Sequence, residues 1–388
     1  MMSQNKIAPA EFFGGDRQEA YLALIACPGA EEFTKLVDNY LVKWANEAGI
    51  EKDTFIIECA CPRFQSGDAK GLVKESIRGH DVFIVVDPGN YSLTYNLFGH
   101  ENHMSPDDHF ANLKRIIQAV AGRAHRVSVI MPSLYGGRQH RRISRESLDC
   151  AVALQELQAM GVANVITFDA HDPRLMNAVP LLSFDNVMPT YQVLKTLLKH
   201  MPELNFDKDH FMVISPDEGA LSRNMYFSSV LGCNLGMFYK RRDYTTVVNG
   251  RNPIVAHEYL GESVEGKTVF IADDIIASGE SMLEVARELK KRGAKHIIAN
   301  ATYPLFTSGF AKFDQAVAEG TLTAVLGTNL TYRNPELLKR DWYFDVDCSK
   351  YCAYFVAAIN HEMSVGSIID PIKKIEALLN KRKATANV

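Results

Sequence analysis

The chain has 388 residues, of which 47% are hydrophobic and 23% charged, and its formal net charge is -4. This length is sufficient for two domains with separate cores, and the acidic net charge argues against a nucleic-acid-binding module, which needs a basic domain. No apolar run reaches the roughly 18 residues that a transmembrane helix requires. The N-terminal segment also lacks the basic and apolar parts of a secretory signal.

The seven cysteines form no paired CxxC frame. Cys59 and Cys61, like Cys348 and Cys352, are too isolated from further ligand residues to indicate a zinc site. An odd number of cysteines without such a frame is typical of reduced, buried thiols. We therefore expect a cytoplasmic protein.

Short apolar runs that resemble buried strands alternate with amphipathic helical patterns along most of the chain. The helical spacing is clearest at 148–160 and 282–291. This alternation is typical of parallel α/β sheets. The predicted strands are 21–26, 55–58, 82–86, 127–131, 165–168, 211–214, 269–272 and 296–300.

A strand followed directly by acidic residues occurs three times, at 166–172 (ITFDAHD), 213–219 (VISPDEG) and 270–274 (FIADD). The repeated theme and the length predict two α/β units with a boundary near 184–189. The segment 243–265 has little periodicity, and a loop of that length is typical of an active-site lid.

The strand at 269–272 ends in a pattern that suits a sugar phosphate. Asp273 and Asp274 follow it and could accept hydrogen bonds from vicinal ribose hydroxyls. A small-residue turn and a helix come next, and their backbone N–H groups could bind a phosphate. An ordinary βα turn with a capping serine and an exposed aspartate pair is an equally good interpretation. The turn consists of Ala277, Ser278, Gly279, Glu280 and Ser281.

The segment 135–145, YGGRQHRRISR, is strongly basic and follows the predicted strand 127–131. Arg138, Arg141 and Arg142 could bind a polyphosphate through bidentate hydrogen bonds. A solvated surface loop or an RNA-facing patch is the alternative. The Gly-Gly turn beside a strand end favours anion binding.

Asp169 and His171 follow the predicted strand 165–168. Because residues i and i+2 share a face in extended chain, we expect both side chains in one crevice, where they suit Mg²⁺ or a phosphate. A structural histidine near a turn is the alternative interpretation.

Lys240 and Arg242 lie directly before the predicted lid and, by the same rule, share a face. Two cations at a lid hinge could stabilise charge on a transferring phosphoryl group. A solubilising KRR run is the alternative. Three other anion or metal patterns at strand ends make the functional interpretation preferable, because ligands of open parallel sheets collect at those ends.

The order of these motifs resembles the ribose-phosphate diphosphokinase, or PRPP synthetase, family, whose members make 5-phosphoribosyl diphosphate (PRPP). The resemblance runs from residue 63 to the C-terminal region, with extra residues expected at 1–60, 89–109 and 331–342. The matching motifs are RFQSGD (63–68), RGHDVFIV (78–85), YGGRQHRR, FDAHD, SPDEG, FYKRR, ADDIIASGES and TYPLFTSG (302–309).

The resemblance implies two tandem phosphoribosyltransferase-like domains, 1–185 and 186–388, each with a mostly parallel sheet flanked by helices. The last helix would pack back on the first domain. It also implies transfer of the β,γ-diphosphoryl group of MgATP to the 1-hydroxyl of ribose 5-phosphate. ATP would bind near a subunit interface of a homo-oligomer, dimer-based or hexameric, and phosphate or ADP regulation is left open. No membrane or nucleic-acid partner is expected.

The resemblance also implies roles for individual residues. Lys240, Arg242 and His171 fall on catalytic positions, and His171 and Asp217 on Mg²⁺-associated positions. Asp217, Asp273, Asp274 and the turn Ala277, Ser278, Gly279, Glu280 and Ser281 fall on the ribose 5-phosphate site. The ATP positions are Phe64, Ser66, Gly67, Asp68, Arg138 and Gln139.

Four positions depart from the family's usual residues. Ala277 replaces an acid, and Glu280 replaces a small residue, so the charge of Glu280 must point away from a phosphate or weaken its binding. His140 stands where Asp is usual, and Asp68 where Glu is usual. A catalytically silent regulatory homologue is therefore the alternative function, followed by a nucleobase phosphoribosyltransferase.

Overall fold

The computed structural model describes residues 21–242 and 254–386, with residues 240–242, 254–257 and 382–386 described by their backbone alone. The strands are β1 (Tyr21–Ala26), β2 (Cys59–Ala60), β3 (Leu72–Val73), β4 (His80–Val85), β5 (Thr94–Leu97), β6 (His100–His103), β7 (Arg126–Ile130), β8 (Asn164–Phe168), β9 (Ser183–Val187), β10 (Phe211–Ser215), β11 (Asn234–Arg242), β12 (Ile254–Leu260), β13 (Thr268–Ile276), β14 (His296–Pro304), β15 (Ala324–Thr328) and β16 (Tyr343–Val346).

The helices are α1 (Glu31–Glu47), α2 (Pro106–Val120), α3 (Asp149–Ala159), α4 (Thr190–His200), α5 (Leu221–Leu231), α6 (Glu280–Lys291), α7 (Ala311–Ala318), α8 (Ser349–Asn360), α9 (Gly366–Ile369) and α10 (Ile372–Ala386). Two 3₁₀ helices, Pro173–Ala178 and Leu337–Lys339, complete the description. Within the described ranges, none of the helices combines the length and the apolar character needed to span a bilayer.

The chain divides into two compact units that exchange segments. The first contains the described residues up to Pro189, together with Asn329–Tyr332 and Asp347–Asp370. The second contains Thr190–Thr328, Arg333–Val346 and the residues from Pro371 onward. The predicted bounds, 1–185 and 186–388, do not include this exchange, because periodicity does not show on which unit a helix packs.

The first unit is built on a five-stranded parallel sheet with the order β1-β4-β7-β8-β9. Strands β4 and β7 are buried over nearly their whole length, which explains why they read as continuous apolar runs. The predicted strand 55–58 is wrong. Within it, Ile56 forms a single isolated bridge to Leu24 of β1. The next strand, β2, begins at Cys59 and pairs with β3.

The second unit is built on a seven-stranded sheet with the order β12-β11-β10-β13-β14-β15-β16. All neighbours are parallel except β11 and β12, which form an antiparallel pair at one edge. The predicted loop 243–265 is therefore wrong in part, because β12 lies within it. His257 and Glu258 interrupt the apolar run of β12, so its pattern does not indicate a strand. Residues 243–253 lie outside the described residues.

Helix α8 belongs to the first unit and packs on α1. The rings of Trp44 and Tyr354 lie 4.8 Å apart, centroid to centroid. The segment Asn329–Tyr332 is attached at Asp87, whose Oδ1 accepts from Thr331 Oγ1 at 2.9 Å and whose Oδ2 accepts from Tyr332 N at 2.7 Å. We expected the last helix to pack on the first domain, but the last helix, α10, lies in the second unit. Helix α8 belongs to the first unit instead.

All seven cysteines lie in the described residues and are thiols. Cys59 and Cys61 are half-buried and the other five are buried, so the prediction of burial is correct for five of them. Burial raises the pKa of Cys59, Cys150 and Cys352 to about 12. Because the thiolate is the reactive form, these thiols are poor nucleophiles near neutral pH.

Asn224 of α5 prolongs the sheet of the second unit beyond the end of β10. The last pair between β10 and β13 is Ile214 with Ile271. At the next residue of β13, Asn224 Nδ2 donates to Ala272 O at 2.7 Å, and Ala272 N donates to Asn224 Oδ1 at 3.1 Å. Asn224 is fully buried. The side chain therefore replaces the missing strand neighbour directly before Asp273.

We expect Asn224→Ala to lower the free energy of unfolding by about 2–4 kcal/mol, because it leaves the Ala272 N–H and C=O buried without partners. Asn46 is a matched control, since its side chain makes the same two hydrogen bonds to the backbone of Lys52 but is exposed. Asn46→Ala should cost less than about 1 kcal/mol, because water can replace those bonds. Urea unfolding of both variants measures the difference, and equal losses would contradict the role of Asn224.

Candidate active site

The aspartate pair lies on the last part of β13, not on a free loop. The Asp273 side chain is 29% exposed and Asp274 is buried, so the alternative of an exposed pair is wrong. Asp274 N donates to Asp273 Oδ1 at 2.8 Å. Burial, reinforced by the charge of Asp274, raises the pKa of Asp273. Both the protonated and the ionised carboxyl group can bind a sugar hydroxyl, and the ionised form is the better hydrogen-bond acceptor.

Arg223 lies beside the pair and was missed by the sequence analysis. Its Nη1 is 3.7 Å from Asp273 Oδ1, and its side chain is only 9% exposed. This cation opposes the rise in the pKa of Asp273. A signal was available, because Arg223 lies in the first turn of α5, where the helix dipole disfavours a cation. The acidic partner Asp273 offsets this unfavourable position.

The turn after β13 leads directly into α6 through Gly279. Gly279 is the N-cap, with φ of 77°, and no side chain caps the helix. The alternative of a turn with a capping serine is therefore wrong, since Ser278 Oγ accepts only a long bond from Glu280 N, at 3.4 Å. The N–H groups of the first helical turn have no acceptor within the helix. They make this helix N-terminus suitable for an anion.

Close packing of α7 fixes the shape of the turn. A Cβ added to Gly279 would lie 2.3 Å from Phe313 Cε2, and the Phe313 ring is fully buried. The motif TYPLFTSG runs along the other side, where Phe306 N donates to Ile276 O at 3.1 Å and Thr307 N donates to Ala277 O at 2.9 Å. The turn is thus held between α7 and the segment that follows β14.

Asp217 lies two residues beyond β10, the parallel neighbour of β13, and is partly exposed. Its Oδ1 accepts from Ala220 N at 3.1 Å, which closes the turn into α5. Because parallel strands end at the same edge of a sheet, Asp217 and Asp273 lie at the edge where ligands of such sheets bind.

Lys240 and Arg242 lie on the last three residues of β11, and the backbone of Lys240 pairs with His257 of β12. The register of this pairing shifts between Arg241 and Arg242. The rule that residues i and i+2 share a face applies to a regular strand, and the pairing is irregular at this point. The shared face of Lys240 and Arg242 therefore stays a prediction.

In the first unit, the segment that carries Phe64, Ser66, Gly67 and Asp68 forms a closed turn. Phe64 N donates to Asp68 O at 2.7 Å, Gly67 N donates to Phe64 O at 2.9 Å, and Ser66 Oγ donates to Asp68 Oδ2 at 2.9 Å. Phe64 is 53% exposed. An exposed aromatic ring on a fixed turn can stack on a nucleobase.

Arg63 connects this turn to its surroundings. Its Nη1 donates to Gly67 O at 3.1 Å, its Nη2 donates to Asp108 Oδ1 at 2.6 Å, and its guanidinium lies 3.8 Å from the ring centroid of Tyr95. Tyr95 belongs to the hairpin β5–β6, which forms part of the expected insertion 89–109. The hairpin β5–β6 and Asp108 therefore help to hold Arg63 against this turn.

The basic segment begins with a turn at Gly136, whose φ is 65°. Arg138, Arg141 and Arg142 are exposed, as anion binding requires. Gln139 is occupied within the segment, because its Nε2 donates to Ser147 O at 2.8 Å. A ligand that binds Gln139 through Nε2 must replace this bond.

Asp169 and His171 do not share a face, and that expectation is wrong. Asp169 has φ of 42°, which ends the extended chain, and it is buried whereas His171 is exposed. The ring centroids of His140 and His171 lie 5.2 Å apart. His140 Nε2 is 3.5 Å from Asp172 Oδ2. Hydrogen bonds from Arg174 lower the pKa of Asp172 to about 2.

Two family models match the chain. The N-terminal domain of ribose phosphate pyrophosphokinase, another name for the diphosphokinase, matches residues 22–161, and the phosphoribosyl transferase domain matches residues 184–304. The chain belongs to the ribose-phosphate pyrophosphokinase family, a family of diphosphotransferases. The resemblance on which the sequence analysis relied is therefore confirmed, as is the α/β fold with two phosphoribosyltransferase-like domains.

Curated relatives of the family are similar over most of their length. The chain is 29% identical to a ribose-phosphate pyrophosphokinase of Thermosipho africanus, over 66% of this chain and 73% of the relative. It is 28% identical to one of Staphylococcus aureus, over 74% and 79%. The crystal structure of phosphoribosylpyrophosphate synthetase from Mycobacterium smegmatis has a TM-score of 0.69 and 20% identity, covering 88% of this chain and 99% of that one. At that identity the structure supports the fold alone.

We expect Gly279→Ala to destabilise the second unit more than Gly266→Ala. Both glycines have positive φ, 77° and 72°, so both substitutions carry a backbone cost of about 1 kcal/mol. Only Gly279 faces Phe313, since nothing lies within 4 Å of a Cβ at Gly266, and overpacking adds about 1–3 kcal/mol. Urea unfolding measures both variants, and equal losses would show that Phe313 does not confine the turn.

Proposed function

We propose that the protein transfers the β,γ-diphosphoryl group of MgATP to the 1-hydroxyl of ribose 5-phosphate, giving PRPP and AMP. The observation that carries this proposal is the junction of β13 and α6, where an acid pair and a helix N-terminus flank one turn. Carboxylates accept hydrogen bonds from hydroxyls, and helix N-termini bind phosphate. Ribose 5-phosphate carries both groups and can occupy both sides of the turn.

On the sugar side, Asp273 and Asp274 bind ribose hydroxyls, and the backbone from Ala277 to Ser281 binds the 5-phosphate. The arrangement of β13, with Asn224 on one side and β14 on the other, supports these roles because it holds the carboxylates in place before the substrate arrives. A site held in this way loses little entropy on binding, and it aligns the 1-hydroxyl for attack.

The proposed reaction requires Mg²⁺, and Asp217 and His171 are the residues that the family pattern associates with the metal. Mg²⁺ keeps several waters and is usually bound by one or two carboxylates and substrate phosphates. It therefore needs no cage of three protein ligands, and the described residues contain no such group. The partly exposed carboxylate of Asp217 is a suitable oxygen donor. When bound, the ion neutralises the charge of the triphosphate.

On the nucleotide side, Phe64 stacks on the adenine, while Ser66, Gly67 and Asp68 hold the turn that carries it. Arg138 and Gln139 bind the triphosphate. The exposure of Phe64 and Arg138 supports these roles. The proposal includes a cytoplasmic homo-oligomer, dimer-based or hexameric, in which this turn serves the ATP of a neighbouring subunit. Inorganic phosphate and ADP are its candidate regulators.

Lys240 and Arg242 stabilise the charge that develops on the transferred diphosphoryl group. Diphosphoryl transfer needs little covalent help, so fixed cations and alignment supply most of the catalysis. The position of both residues on β11, directly before the segment 243–253, supports this assignment.

A catalytically silent regulatory homologue is the second candidate, favoured by Ala277 and Glu280 in the phosphate turn. Release of AMP from ATP in the presence of ribose 5-phosphate and Mg²⁺ separates the two candidates. Omission of the sugar controls for simple ATP hydrolysis. Sugar-dependent AMP release supports the synthetase, and its absence in a folded protein overturns the proposed reaction. PRPP with a nucleobase, offered in place of ATP, tests for a phosphoribosyltransferase.

We expect Lys240→Ala to lower kcat by roughly 10²–10³ while the affinity for ATP changes little, because the side chain acts on charge that develops in the transition state. Steady-state kinetics and equilibrium ATP binding measure the two effects. The control is Lys43→Ala, which removes the same charge from an exposed position on α1. Unchanged turnover would remove Lys240 from the mechanism.

We expect Asp273→Asn to raise the KM for ribose 5-phosphate about tenfold, because a carboxylate is the stronger acceptor for hydroxyls. Because the pKa of Asp273 is raised, its carboxyl group becomes ionised as the pH rises through that pKa, and the affinity for the sugar should rise over the same range. The variant lacks this increase. Titrations with ribose, which has no phosphate to ionise, isolate the effect, and identical pH profiles would contradict the assignment.

A further inference from the structure

Glu280 introduces a negative charge at the place where the proposed phosphate binds. It is the first residue of α6, directly after the N-cap Gly279. A carboxylate in the first turn is favourable for the helix dipole but repels an incoming phosphate. The protein therefore needs a way to reduce this repulsion if the turn is to bind a sugar phosphate.

Helix α7 supplies a cation at this position. Lys312 Nζ donates to Glu280 Oε1 at 3.0 Å. The position of Lys312 follows from its neighbour Phe313, whose buried ring packs so closely on Gly279 that no Cβ would fit there. The same contact that shapes the turn thus places the ammonium group beside Glu280. Lys312 was missed by the sequence analysis, because nothing in the sequence relates α7 to this turn.

Folding stability does not explain the pair. The side chains of Lys312 and Glu280 are 54% and 60% exposed. Exposed ion pairs contribute little to stability, because water and salt screen them and two long side chains lose entropy. An exposed charge still interacts with a charged ligand a few ångströms away. The interaction energy is twice as large for a dianion as for a monoanion at the same distance.

We propose that Lys312 is a specificity-determining residue of the sugar-phosphate site, which cancels the charge of Glu280 so that the N-terminus of α6 accepts a dianionic phosphate. This inference rests on the proposed function. Lys312 acts through Glu280 and does not itself bind the phosphate. The effect of removing Lys312 must therefore depend on the presence of the charge at Glu280.

A double-mutant cycle with Lys312→Met and Glu280→Gln tests this dependence. The measured quantity is the dissociation constant of ribose 5-phosphate alone, by titration calorimetry at about 0.1 M salt without ATP. Lys312→Met should weaken binding about three- to tenfold, because it leaves Glu280 uncompensated. Glu280→Gln should bind at least as tightly as the wild type, and the double variant should match Glu280→Gln. The loss in Lys312→Met should shrink at high salt.

Lys291→Met is the matched control. It removes the same charge from the opposite end of α6, where Lys291 lies 3.9 Å from Glu288 and is also exposed. At a rise of about 1.5 Å per residue, this end lies roughly 16 Å from Glu280, well beyond the Debye length of about 10 Å at 0.1 M salt. The control should leave the affinity unchanged.

Three results would overturn the inference, and they differ from one another. If Lys312→Met binds as the wild type does, Glu280 needs no compensation. If Lys312→Met weakens binding equally in the Glu280→Gln background, Lys312 contacts the phosphate directly. If the folded wild-type protein does not bind ribose 5-phosphate at all, the proposed function fails and this inference with it.

Discussion

The candidate site depends on the way β13 is held beyond the end of its neighbour β10. The ladder between the two strands ends at Ile271, and Asn224 provides the next two hydrogen bonds from a side chain. On the opposite side, pairing with β14 continues to the last residue of β13, Ile276. The strand is therefore hydrogen-bonded on both sides up to the residue directly before the acid pair. Without Asn224, β13 would be hydrogen-bonded only on the β14 side directly before the acids.

Two acidic residues at this end of the sheet each lie beside a cation that comes from a helix. Arg223 of α5 lies beside Asp273, and Lys312 of α7 lies beside Glu280. Both cations come from the first turn of their own helix, where the dipole disfavours them. The cost is offset by the acid that each cation meets. The same arrangement, a cation in the first turn of a neighbouring helix, thus occurs at two places. One is the acid pair, and the other is the acidic residue at the proposed phosphate site.

Patterns within one segment of sequence predicted much of the fold, and contacts between distant segments account for most of the errors. Strands such as β4, β10 and β13 were predictable because each is a buried apolar run. The strand β12 was not, since charged residues interrupt it. Asp169 and His171 were placed on one face by a rule for extended chain, which fails because Asp169 adopts positive φ. Arg223, Lys312 and the approach of His140 to His171 depend on contacts between elements, which spacing does not reveal.

The exchange of segments between the two units bears on how the protein can be dissected. A cut after Pro189 would leave the first unit without α8, whose residues Phe355 and Val356 are fully buried, and without Thr331 opposite Asp87. The other fragment would carry α8 with its apolar side chains in water. The first half made on its own would thus lack part of its core, although the sequence reads as two domains in tandem. Fragment expression of this protein therefore calls for co-expression of both pieces.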